Sequence, residues 1–113
     1  MRIVDREIRV EDLKQMAAGT FGDLVKAVVD VDREIIAVEG ELHSDLEAML
    51  LGNGSRQANL WGINLYPGLP GDEFIEFDSL INIRPSQGNT SRNVENEEIR
   101  KKIVSIVAKR IIS

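Results

Sequence analysis

The stretch from Leu24 to Val38 constrains this chain more than any other. Its apolar residues are mostly β-branched, and its one break, Asp30-Val31-Asp32-Arg33-Glu34, is turn chemistry between Lys26-Ala27-Val28-Val29 and Ile35-Ile36-Ala37-Val38. Branched side chains are stiff and pack well on a pleated surface, so the stretch predicts an antiparallel hairpin with strands at residues 25 to 30 and 35 to 39. Gly40 ends the hairpin, and Leu42, Leu46, Met49 and Leu50 then recur at helical spacing, the stripe of a helix lying on a sheet. Ser44-Asp45-Leu46-Glu47 has the form of a capping box and Gly52-Asn53-Gly54 supplies a stop, which predicts helix at residues 45 to 51.

The flanking segments extend this ββα unit. Arg2 to Ile8 reads as a short charged edge strand, and Val10 to Ala18 as a helix with Leu13, Met16 and Ala17 on one face. Leu60 to Tyr66 reads as a strand closed by Pro67. Alternation from residue 74 to 83 predicts a longer strand, with Ile75, Phe77, Ile81 and Ile83 on one face and Glu76, Asp78, Asn82 and Leu80 on the other. After a polar loop, Ile99, Ile103, Ile106, Val107 and Ile111 mark a helix over residues 97 to 111, N-capped by Asn96. The order β-α-β-β-α-β-β-α predicts one α+β domain over residues 1 to 113, with an antiparallel or mixed sheet of about five strands and three helices packed mainly on one face. A sheet covered on one side leaves the other exposed, and Leu80 and Tyr66 lie there, so self-association as a homodimer by that face or by a strand edge is expected.

With 113 residues, 42% apolar and 29% charged, the chain has the makings of a single core. No apolar run approaches the ~20 residues of a bilayer span, and the N-terminus is charged from Arg2 onward, so neither membrane insertion nor a signal peptide is expected. The absence of cysteine excludes thiol catalysis, disulfides and Cys-based metal sites, and fits a cytoplasmic protein. Charge is unevenly placed: residues 1 to 83 carry a net -9 and residues 84 to 113 a net +4. The acidic total argues against a general nucleic-acid coat and leaves room for a local anion site in the C-terminal third.

Three places have the residues for chemistry. The only histidine, His43, sits at a strand-to-helix junction; in an extended chain Glu41, His43 and Asp45 would point the same way, whereas in a helix His43 turns away, and with no second histidine no metal or cofactor is assigned. The loop around Arg84, Ser86, Gln87, Gly88, Asn89, Thr90, Ser91 and Arg92 is dense in donors and precedes a helix N-terminus, as a phosphate or carboxylate site requires, though it has neither a Walker A nor a GxGxxG pattern. Asn64 and Tyr66 share a polar strand face with Asn82 and Arg84, while Trp61 points to the core.

Several blocks, Phe21-Gly22-Asp23, Gly40-Glu41-Leu42-His43, Leu60-Trp61-Gly62-Ile63-Asn64-Leu65-Tyr66-Pro67 and the run from Ser79 to Asn89, resemble those of a family of small uncharacterised prokaryotic proteins, a domain of unknown function. The resemblance covers nearly the whole chain and implies a single-domain prokaryotic context, with no activity, cofactor or catalytic residue. The residues leave three readings. The first is a binding module that holds a small polar or anionic ligand between the His43 junction and the Arg84 to Arg92 loop, with Glu41, Asn64, Tyr66, Asn82, Ser86, Gln87, Asn89 and Ser91 as further ligand contacts. The second is an enzyme of phosphoester or nucleotide chemistry with His43 as general acid or base and Arg84 stabilising developing charge. The third is a structural or regulatory homo-oligomeric protein acting through a sheet edge or the C-terminal helix.

Overall fold

A computed structural model describes residues 1–113. The hairpin forms as its sequence dictates: β3 (Val25–Asp30) pairs antiparallel with β4 (Ile35–Val38) around a turn in which Asp30 Oδ1 accepts from the backbone N–H of Asp32 and Arg33. β1 (Arg2–Val4) adds to the outer edge of β4, β5 (Leu60–Leu65) runs along β3, and the two-residue β6 (Ile75–Glu76) ends the sheet. The result is a five-stranded antiparallel sheet in the order β1-β4-β3-β5-β6. Three helices, α1 (Val10–Ala18), α2 (His43–Gly52) and α3 (Glu97–Arg110), complete the α+β fold. The expected N-terminal strand is divided, since after β1 the chain turns and β2 (Ile8–Arg9) pairs in parallel with β7 (Ile111–Ile112), directly after α3.

Two of the helices share a face of the sheet. α1 and α3 bury Leu13, Met16, Ala17, Ile103, Ile106 and Val107 against Val25, Ala27, Val29, Trp61, Ile63 and Leu65. α2 lies on the opposite face, where Leu46 and Leu50 meet Val28, Ile35, Ala37 and Leu60. The face expected to be bare is therefore covered, and the argument for dimerisation through it loses its premise. The unbroken apolar runs Ala27-Val28-Val29 and Ile35-Ile36-Ala37-Val38 already carried this information, because strands buried on both faces do not alternate. Helix α2 starts at Leu42 as N-cap, with no side-chain capping bond, so the box at Ser44 is not used and His43 is the first helical residue.

The long strand expected over residues 74 to 83 does not form. Only Ile75–Glu76 pair with β5; beyond them the chain bends across the sheet and Leu80–Asn82 make a turn of 3-10 helix. Ile75 and Phe77 pack with α1 and α3, Ile81 packs on the α2 side, and Ile83 is exposed, so the four do not share a face. Gly62 permits the crossing: a Cβ there would lie 2.5 Å from Cβ and Oγ of Ser79 and 3.1 Å from Cγ1 of Ile81.

Candidate functional site

Where β6 stops short, the outer edge of β5 is closed by side chains in place of a strand. Asn82 Oδ1 accepts from Gly62 N–H at 2.8 Å, and Asn82 Nδ2 donates to Gly62 O at 2.9 Å and to Arg92 O at 3.0 Å. The amide thus reproduces both hydrogen bonds of a ladder partner. Arg84 continues the closure by donating to the carbonyls of Leu60, Gln57 (2.6 Å) and Ile81 (3.1 Å), with a further bond to Gln87 Oε1 and its guanidinium 4.4 Å above the Trp61 ring. Nearly all its donors are engaged by carbonyl oxygens, burial pushes its pKa down, and no carboxylate lies in ion-pair range.

The following loop is equally well satisfied from within. Asn89, 3% exposed, donates to the carbonyls of Asn82, Ser91 and Asn93 and accepts from Glu95 N–H, while Gln87 Nε2 bonds Ala58 O and Gly88 takes the left-handed φ of 77° that the turn needs. The backbone N–H groups of Thr90 and Ser91 and the Ser91 hydroxyl converge on one point, as an anion site requires, and that point is occupied by Glu95 Oε2 at 2.9, 2.8 and 2.7 Å. These three bonds hold the Glu95 carboxyl below the usual carboxylate range. The group that fills this cradle is the chain's own Glu95, three residues past Arg92. Ser86 is exposed and makes no side-chain hydrogen bond.

A second constellation lies further along β5, beside the first turn of α2. His43, 8% exposed, places Nε2 2.8 Å from Ile63 O. A carbonyl only accepts, so Nε2 carries the proton and Nδ1 holds the lone pair. Burial lowers the His43 pKa below 6.5, opposed by the Ile63 hydrogen bond, with Lys26 and Arg92 lowering it further and Asp78 raising it. The ring is therefore neutral at pH 7. Nδ1 has no protein partner and is not sealed from solvent.

Around this ring the sheet gathers polar groups. Lys26 stands opposite Asn64 in the β3–β5 register, with Nζ 5.3 Å from the centre of the Phe21 ring and no carboxylate in ion-pair range. Asn64 Nδ2 donates to Glu76 Oε1 at 2.8 Å and to Asp78 O at 3.3 Å; the Tyr66 hydroxyl donates to the same Glu76 oxygen at 3.1 Å, and burial and then Glu76 raise its pKa. Arg92 Nε meets Asp78 Oδ1 at 2.5 Å. The fold thus brings His43, Asn64, Tyr66 and Arg92 into one neighbourhood. Arg84 is anchored near the other end of the strand, since Leu60 and Ile63 lie roughly 10 Å apart at ~3.3 Å per residue. Glu41 is exposed and unpaired, and no three His, Asp or Glu side chains stand close enough to hold a metal ion.

Lys26, Glu76 and Asp78 were not anticipated as site residues. Lys26 had a signal: it is the one charge interrupting an otherwise apolar run at the start of β3. Hollows lie beside α3, beside Tyr66 and Pro67, and between Trp61, Gln87 and Asn96, and His43 lines none of these. No helix is long and apolar enough to cross a membrane. No curated protein and no solved structure matches the chain. Residues 2–110 match the family described as "Protein of unknown function (DUF5674)", nearly the full length, and the chain belongs to that family.

Proposed function

We propose that this protein is a binding module for a small polar ligand with an acidic group, taken on the face beside His43, Lys26 and Arg92. The observation that carries the reading is the state of His43, whose Nε2–H is committed to Ile63 O and whose Nδ1 lone pair is free beside the unpaired Lys26. Such a pair suits an anion that brings a proton to Nδ1, or leaves one there, while its charged oxygen meets the ammonium group. Phosphate monoesters, with a second pKa near ~6, do both close to neutrality, and inorganic phosphate offers the same donor and charged oxygens. Arg92, anchored by Asp78, is the second cation at hand.

In this reading Asn82, Arg84, Gln87 and Asn89 form the frame that presents Asp78 and Arg92, Asn64 and Tyr66 hold Glu76 in place, and Glu41, Ser86 and Ser91 lie outside the contact. The commitment of Arg84 to carbonyl oxygens supports binding over phosphoester chemistry that would need its donors free. The test is thermal shift with inorganic phosphate and AMP. At tenfold the dissociation constant a ligand stabilises by about 1.4 kcal/mol, a shift of several degrees in a domain this small. Wild type should gain this, Lys26→Ala should lose most of it, and Arg84→Ala should lower the melting temperature yet keep the ligand increment. No increment in wild type, or one that survives Lys26→Ala, refutes the proposal.

A further inference from the structure

We propose that the ligand of the His43, Lys26 and Arg92 face is a nucleoside monophosphate, whose phosphate meets Lys26 and whose base lies in the hollow beside Tyr66. The inference rests on the anion-binding reading above and adds the organic half of the ligand. Lys26 and Asn64 stand opposite one another in the β3–β5 register. Tyr66, two residues past Asn64, lies about 7 Å further along, and both side chains bond the same Glu76 oxygen, so they share a side of the sheet. At that end a hollow of about 350 Å³ is walled by Ala17, Tyr66, Pro67 and Leu69 and edged by Lys14 and Asp23. Phe21, 45% exposed, links the two places: Lys26 Nζ is 5.3 Å from its ring centre, and the next residue, Gly22, lines the hollow.

The make-up of the hollow selects the base over other organic groups. A tyrosine ring, a proline ring and a leucine give it flat apolar walls, which suit a planar heterocycle more than a hydroxyl-rich sugar. Asp23 and Lys14 form no ion pair, so the carboxylate is free to accept from an exocyclic amino group and the ammonium to donate to a ring nitrogen. Burial, and after it the negative charges of Glu76, Asp23 and Asp78, raise the Tyr66 pKa. A second phosphate at this end would meet that same negative charge, so the ligand carries one anionic group, at Lys26, and an uncharged group in the hollow. The ribose of a 5′-monophosphate spans a gap of this size, and the exposed Phe21 ring gives it an apolar surface on the way.

Isothermal titration with AMP, ribose 5-phosphate and inorganic phosphate separates the two halves of the ligand. AMP should bind wild type about tenfold more tightly than ribose 5-phosphate, the size of effect a base stacked on a side-chain ring supplies. Asp23→Ala removes a negative charge from an exposed side chain, so on electrostatics alone it would strengthen all three ligands. The proposal predicts the opposite for AMP, which should weaken by about tenfold while phosphate binds no less tightly. Leu69→Ala, at a half-exposed position, should also weaken AMP and leave phosphate unchanged. AMP that binds wild type no more tightly than ribose 5-phosphate, or that binds Asp23→Ala more tightly than wild type, overturns this proposal and leaves the anion-binding face standing. A wild type that binds none of the three overturns both.

Discussion

Replacing Asn82 by alanine tests whether one amide stands in for a missing strand. The side chain is fully buried and satisfies the N–H and C=O of Gly62, both inside the protein, as well as Arg92 O. Alanine leaves the two Gly62 groups without partners where no strand can replace them, because β6 ends at Glu76. A buried polar group left unpaired costs about 1 to 3 kcal/mol, so two cost roughly 2 to 6, and partial entry of water brings the expectation to about 3 to 4 kcal/mol. The chain's single tryptophan, Trp61, lies next to Gly62 in β5 and provides the signal for urea unfolding. The midpoint should fall by that free energy at an unchanged m-value, while Ser86→Ala, which removes no hydrogen bond, should stay within about 0.5 kcal/mol of wild type. A loss below about 1 kcal/mol for Asn82→Ala would refute the reading of this edge.

Gly62→Ala should destabilise by at least as much, since its Cβ would stand 2.5 Å from Ser79 and force the 78 to 82 segment off the sheet; a stability equal to wild type in the same urea experiment would mean the crossing is looser than described. Glu95→Gln should destabilise at neutral pH, and the difference should vanish in acid. The Glu95 pKa is depressed in the folded state, so its stabilisation is complete above the unfolded value and is lost as pH falls through the folded one. Melting temperatures of both proteins across acid pH would expose a constant gap, which contradicts this account. His43 titrates below 6.5 when folded, so the unfolded state binds the proton first and stability should decline as pH drops from 6.5 toward the folded pKa; His43→Gln should remove that slope from a series of urea unfolding curves.

The sheet and helices were legible because they rest on local pattern. Branched residues on either side of Asp30 to Glu34 and the i, i+4 pair Leu46 and Leu50 each have one structural solution, whereas Leu42, expected on the same stripe, is the exposed N-cap. Residues 74 to 83 misled for a physical reason. Alternation shows which residues are buried, and Ile75 and Ile81 are both largely buried, but on opposite faces of the sheet after the chain crosses at Gly62. That crossing depends on a glycine in another strand and on side-chain bonds from Asn82, neither of which leaves a period in the sequence. The second helical face was legible and overlooked: unbroken apolar runs in β3 and β4 require cover on both sides. In the site, residue type indicated the need for polar partners, and only the fold decided what met it. Asn82, Arg84 and Asn89 turned inward to backbone carbonyls, Glu95 filled the anion cradle, and the register of β3 on β5 set Lys26 beside Asn64 and His43.

The most direct test of the anion-binding face is long-range proton–nitrogen NMR on the one imidazole in the chain. At pH above the His43 pKa the free protein should show a single tautomer, protonated at Nε2 and bare at Nδ1, fixed by Ile63 O. Inorganic phosphate should then move the Nδ1 resonance toward the protonated position along a saturable curve, with the effect strongest at the acid end of the neutral range and absent in Lys26→Ala. A tautomer mixture in the free protein, or an Nδ1 resonance indifferent to phosphate at every pH, would contradict the account.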